Sequence, residues 1–207
     1  VRPPRFLLIL ALAIAAPVAS ASAPAVATEQ VAPVTAADRT LGRADAPVTV
    51  IEYASFACHV CADWHQFVYP GFKARFIDTG QVRYVFRNLP TPPEEMSLPA
   101  HALARCAAPA KFFDVAASLM HGQAAVLRGG AVDAWYAPAI AVSGRTRAQI
   151  DACIALPATR AAISRDITSA HAADVHNTPS FFINGRRVTD RSLGGLEVAI
   201  RAAAADR

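Results

Sequence analysis

Cys58-His59-Val60-Cys61 decides how this chain is read, because of what lies on either side of it. Before it runs an apolar strand, Val48-Thr49-Val50-Ile51-Glu52-Tyr53-Ala54, and after it a helical pattern, Ala62-Asp63-Trp64-His65-Gln66-Phe67-Val68. Two cysteines three apart at a strand-to-helix junction reach each other across the first helical turn. The unpaired N–H groups and positive dipole end of a helix start favour a thiolate there. On its own this spacing also serves zinc sites and short structural bridges. Zinc needs two further ligands, and neither His59 and His65 nor the isolated Cys106 and Cys153 supply the usual spacing. A bridge closing so short a loop gains little unfolded-state entropy. A redox-active pair is the reading that remains in front.

Working outward, Val82-Arg83-Tyr84-Val85-Phe86-Arg87 is a second strand, and strand, helix, strand implies a parallel βαβ unit. Pro70-Gly71 predicts a kink or break in the intervening helix, and Gly80 a helix C-cap. Pro90, Pro92, Pro93 and Pro99 mark a change of pattern. From about 97 to 173 there is almost no strand signal; helices are expected near 97–107, 110–122, 131–142, 147–155 and 158–173. Thr146 with Gln149 fits a capping box. Strand pattern returns in Ser180-Phe181-Phe182-Ile183 and Arg186-Arg187-Val188 around Asn184-Gly185, a type I′ hairpin signal. A last amphipathic helix carries Leu196, Val198, Ala199 and Ile200. The fold class is α/β, with one core split by a helical insertion.

The chain has 207 residues and a net charge of +4. Arg2 and Arg5, the apolar run Phe6 to Ala16 and the small residues Ala19-Ser20-Ala21 read as a cleaved signal peptide over 1–21. Cleavage there removes two arginines and no acid, leaving +2. Neither that balance nor any basic run predicts binding to nucleic acid or a membrane surface. Residues 22–40, rich in Ala, Pro, Val and Thr, read as a disordered leader. Core segments are then expected at 41–95 and 174–207, with the helical insertion at 96–173. Export makes persistent disulfides the expectation, so Cys106 and Cys153 are a candidate structural bridge rather than two buried free thiols.

The strand ending Glu52-Tyr53-Ala54-Ser55-Phe56-Ala57, the Cys58-His59-Val60-Cys61 motif and Asn177-Thr178-Pro179-Ser180-Phe181-Phe182-Ile183-Asn184-Gly185 together resemble the DsbA-like thiol:disulfide oxidoreductases. The resemblance covers about residues 41 to 204 and preserves the order of parts. It implies a thioredoxin-like fold with an inserted all-helical subdomain. It implies further that Cys58 is the exposed nucleophile, Cys61 its buried partner, Pro179 a cis-proline facing the pair and Thr178 the residue whose backbone docks a substrate strand. The family carries an acid at the position of Glu52. A buried carboxylate moving a proton for Cys61 is therefore preferred there over a solvent-facing strand residue. His59 departs from the best-known family dipeptide, in which histidine sits beside the second cysteine; protonated, it would favour the Cys58 thiolate. His176 reads as a surface-loop residue near the site.

The resemblance implies an exported protein that oxidises reduced secreted or periplasmic proteins as a monomer. It needs no organic cofactor or metal, and a DsbB-like, quinone-linked membrane protein re-oxidises it. Reductase or isomerase action on the same fold is the alternative. A non-catalytic metal- or peptide-binding domain is the rival from another class. A pKa fall of about 4 units at Cys58 would shift the couple by ~60–90 mV.

Overall fold

The computed structural model describes residue 1 and residues 31–206. The expected signal peptide, beyond Val1, and positions 22–30 of the leader lie outside the described residues.

Five strands form one sheet in the order β1-β3-β2-β4-β5. They are β1 (Arg39–Leu41), β2 (Val48–Ala54), β3 (Val82–Asn88), β4 (Ser180–Ile183) and β5 (Arg186–Val188). The central pair β2 and β3 runs parallel, in register from Val48 opposite Val82 to Ala54 opposite Asn88. β4 is antiparallel to β2 and β5 to β4. The tight β4–β5 turn places Asn184 and Gly185 at φ of 45° and 83°, the doubly left-handed conformation of a type I′ turn.

Period-two alternation gives β2 two different faces. Val48, Val50 and Ala54 join the larger core with Cys61 and Trp64, whereas Ile51 and Tyr53 join Ala170, Ala173, Val175 and Phe182 on the other side. Glu52 shares its face with Val50 and Ala54, so the strand's one acid is aimed beneath the first helix.

That helix, α1 (His59–Phe67), ends where the backbone reaches Tyr69-Pro70-Gly71-Phe72, which forms the short α2 (Tyr69–Phe72). A single π-helical turn, Lys73–Ile77, leads on to Gly80 at φ 76°. Between β3 and β4 stand α3 (Glu94–Cys106), α4 (Phe112–Leu127), α5 (Val132–Ala141), α6 (Arg147–Ile154) and α7 (Pro157–Ala172). Thr146 and Gln149 make both hydrogen bonds of a capping box at the start of α6. The closing helix α8 (Leu193–Ala205) buries Leu196 and Ile200. This is a thioredoxin fold with a helical insertion.

One sequence expectation is corrected. The disordered leader expected over 22–40 does not hold at its far end, where Arg39–Leu41 pairs antiparallel with β3 as an edge strand. The cause is a long-range anchor that local composition does not display. Asp38 accepts from Arg87 Nε at 2.9 Å, both side chains being 3% exposed. Arg87 also donates to the Pro33 carbonyl, the Tyr53 hydroxyl and the Ser169 hydroxyl.

Candidate active site

Cys58 is the N-cap of α1, with extended backbone at φ −89° and ψ 113°. Its carbonyl accepts from Cys61 N at 3.0 Å and Ala62 N at 3.1 Å, which starts the helix. The preceding loop is held by polar contacts on several sides. Ser55 Oγ accepts from Ala57 N and Thr91 N at 3.1 Å each, and Phe56 N donates to His101 Nε2 at 3.4 Å. From the insertion, Gln123 Nε2 donates to the Phe56 carbonyl at 2.5 Å and the Cys58 carbonyl at 3.1 Å. A helix of the inserted subdomain thus fixes the turn that presents the first cysteine.

The two sulfurs differ sharply in environment. Cys58 is half-buried and Cys61 fully buried, and both are free thiols here. A hydrogen bond from the Cys61 thiol, working against partial burial, draws the Cys58 pKa down to about 6; the Thr178 side chain and the N–H groups of Cys61 and Val60 assist. Burial pushes the Cys61 thiol well up, and the Cys58 and Glu52 charges add to it. The pair is therefore graded, with a reactive outer sulfur and an inner one that favours its proton.

Facing the pair, the Thr178–Pro179 peptide bond is cis. Cys58 Sγ donates to the Thr178 carbonyl at 3.3 Å. The Pro92–Pro93 bond is also cis, which the sequence reading does not anticipate.

Glu52 is 0% exposed. One carboxylate oxygen, Oε2, accepts from the Tyr84 hydroxyl and lies 3.1 Å from His65 Nε2. The other, Oε1, has no hydrogen-bond partner among the described residues. The structure brings Cys58, Cys61, Thr178, Pro179 and Glu52 together. It does not bring in His59, which is exposed and is not among the groups that lower the Cys58 pKa. His176 is exposed and sits 2.7 Å from Asp174. Cys106 and Cys153 form a disulfide with Cα atoms 5.7 Å apart, bracing α3 against α6. Among the described residues no group of three or more His, Cys, Asp or Glu side chains is arranged to hold a metal ion.

Sequence reasoning missed three contributors. His65 was weighed only as a zinc ligand, although its place one turn after Cys61 puts it on the buried side of α1. Gln123 and His101 lie far along the chain and carry no local signal.

A thioredoxin sheet with a dithiol at the start of its first long helix and a cis-proline opposite defines a thioredoxin-fold protein. Comparison with known proteins agrees. A family model described as thioredoxin matches residues 35–202, and the chain belongs to that family. A putative protein-disulfide oxidoreductase of Rickettsia bellii is 28% identical over 175 residues, 79% of this chain and 63% of the relative. A second one, from Rickettsia typhi, is 27% identical over 179 residues, 82% of this chain, and the chain spans 63% of the length of each of these two relatives. In fold it is similar to Wolbachia pipientis alpha-DsbA1, with a TM-score of 0.75, 22% identity and coverage of 86% of this chain and 96% of that one. BdbD from Bacillus subtilis in its oxidised form gives a TM-score of 0.73 at 18% identity, covering 85% and 97%.

Proposed function

We propose that this protein is an exported thiol:disulfide oxidoreductase whose Cys58–Cys61 pair introduces disulfides into reduced secreted or periplasmic proteins. The observation that carries the reading is the graded pair itself: an accessible Cys58 titrating near 6 beside a sealed Cys61 that keeps its proton. The relatives named as protein-disulfide oxidoreductases support it.

In the oxidising direction a substrate thiolate bonds to Cys58 Sγ. The Sγ–Sγ bond breaks, and its electron pair leaves on Cys61, which takes a proton inside the core. Glu52 is the group placed to supply that proton. The substrate's second thiolate then attacks its own sulfur in the mixed disulfide, and Cys58 departs as the thiolate that its surroundings favour. Thr178 offers backbone to an extended substrate beside Cys58, and cis-Pro179 keeps that edge free of a competing N–H donor. A DsbB-like membrane partner re-oxidises the pair, and the protein works as a monomer without metal or organic cofactor.

One observation favours a second reading, reductase or isomerase. A cysteine near 6 lies between the about 7 of thioredoxin and the about 3.5 of DsbA, nearer the former. The discriminating experiment supplies the oxidised protein to a reduced, unfolded substrate protein with native disulfides. Rapid appearance of substrate disulfides, lost in Cys58→Ser, supports the oxidase. Exchange confined to insulin reduction or to shuffling of scrambled disulfides supports the alternative, and no exchange at all refutes both.

A further inference from the structure

We propose that His65 is the proton relay of the site, linking the sealed Glu52 to solvent so that Glu52 serves Cys61 once in every turnover. This rests on the reading of Glu52 given above.

Glu52 has no exposed surface, so any proton it gains or loses passes through a neighbour. Its hydrogen-bonding neighbours are Tyr84 and His65. Tyr84 is itself 0% exposed, and burial with the Glu52 charge beside it pushes its hydroxyl well above the ordinary value. It stays a fixed donor at neutral pH. His65 keeps 5% of its surface exposed, and imidazole is the side chain that ordinarily exchanges protons between pH 5 and 8. Its ring packs edge-on against Trp64 and tilted against Tyr69, with centroids at 5.1 and 5.0 Å, while Nε2 meets the carboxylate. The titratable groups that the Glu52 charge reaches are Cys61 from α1, Tyr69 from α2 and Tyr84 from β3. Burial first, and then the Glu52 charge, push the Tyr69 hydroxyl well up, outside the working range, so it does not compete.

The relay requires one proton shared between Nε2 and Oε2, which lie 3.1 Å apart. When the substrate thiolate bonds to Cys58 and the Sγ–Sγ electron pair leaves on Cys61, that sulfur takes the shared proton. A carboxylate and a neutral imidazole remain, and His65 takes the replacement proton from water. No oxidant beyond the disulfide is needed.

The test is the single-turnover reduction of the oxidised full chain by a thiol peptide from pH 5 to 8, for wild type, His65→Gln and Glu52→Gln. The wild-type to variant rate ratio cancels the peptide's own titration. The relay predicts that His65→Gln, which keeps an N–H donor but cannot titrate, is about 100-fold slower at the acid end. Its deficit then shrinks as the pH rises and the pair loses its proton. A deficit independent of pH makes His65 merely structural and overturns the relay, as does a wild-type rate. If either is seen while Glu52→Gln is slow, the reading of Glu52 survives; if Glu52→Gln is as fast as wild type, that reading falls and the relay with it. Should His65→Gln fail to fold, the unaltered protein decides by ring 15N shifts. A His65 titration whose midpoint moves when Cys58–Cys61 is reduced supports the relay, and a ring fixed in one state in both forms overturns it.

Discussion

The sulfur of Cys58 stands 3.3 Å from the carbonyl oxygen of Thr178, a residue 120 positions further along the chain. The contact joins the proposed nucleophile to the segment that resembles a substrate-docking edge. The thiolate absorbance of the reduced protein should titrate with a midpoint of about 6. The sign follows from a folded value below that of the free thiol: the reduced form is favoured above the free value, and the advantage is lost as the pH falls through about 6. At this half-exposed sulfur, after allowance for solvent screening, the contribution at pH 7 is about 1 kcal/mol, or roughly 20–30 mV. That is smaller than the sequence-based figure, because partial burial opposes the hydrogen bonds that favour the thiolate. A midpoint above about 8, that of an ordinary thiol, would contradict the assignment.

Gln123→Leu should loosen the active-site turn. The substitution removes the donor to the Phe56 and Cys58 carbonyls. A loss of about 1–3 kcal/mol in urea unfolding is expected, together with slower thiol exchange. Wild-type stability and rate would show that the insertion does not position the turn.

His101 should make the protein acid-labile. Burial first, and then the Arg105 charge, lower its pKa to about 3. It stays neutral in the fold, accepting from Phe56 N and bonded through Nδ1 to Asn88 Oδ1. The unfolded chain takes up a proton near 6.5 and the folded one only near 3, so stability is complete above 6.5 and falls as the pH drops. The loss between pH 7 and 4 is about 3 kcal/mol. Equilibrium unfolding of His101→Gln should show a shallower slope over that range; an unchanged slope would assign the acid sensitivity elsewhere.

Replacing both Cys106 and Cys153 by Ala opens a bridge spanning 47 residues. The chain-entropy model gives about 3–4 kcal/mol, read as a lower unfolding midpoint. Thiol exchange at Cys58 should persist, and its loss in a folded variant would show that the bridge is more than structural.

What the sequence displayed was local. The dithiol spacing, the Asn184-Gly185 turn, the Thr146 and Gln149 box and the break at Pro70-Gly71 each depend on neighbours within a few residues. Contacts made at a distance were hidden. β1 has three residues and no alternation to read, and its place follows from Asp38 meeting Arg87. Glu52 stood out as a charge in an apolar strand, but its partners could not be read: Tyr84 looked like an ordinary strand aromatic, and His65 was considered only as a metal ligand. Pattern reports which face a residue occupies, and the partner across the core comes only with the fold.

The central claim is that Cys58–Cys61 is an oxidising pair, and its reduction potential tests this most directly. Equilibration with glutathione, followed by alkylation and mass spectrometry of both cysteine pairs, gives the value. The account predicts a potential in the range of about −120 to −180 mV, that of oxidants and isomerases, and nearer its −120 mV end, with Cys106–Cys153 remaining closed throughout. A value near about −270 mV, that of thioredoxin, would reverse the direction of electron flow and contradict it.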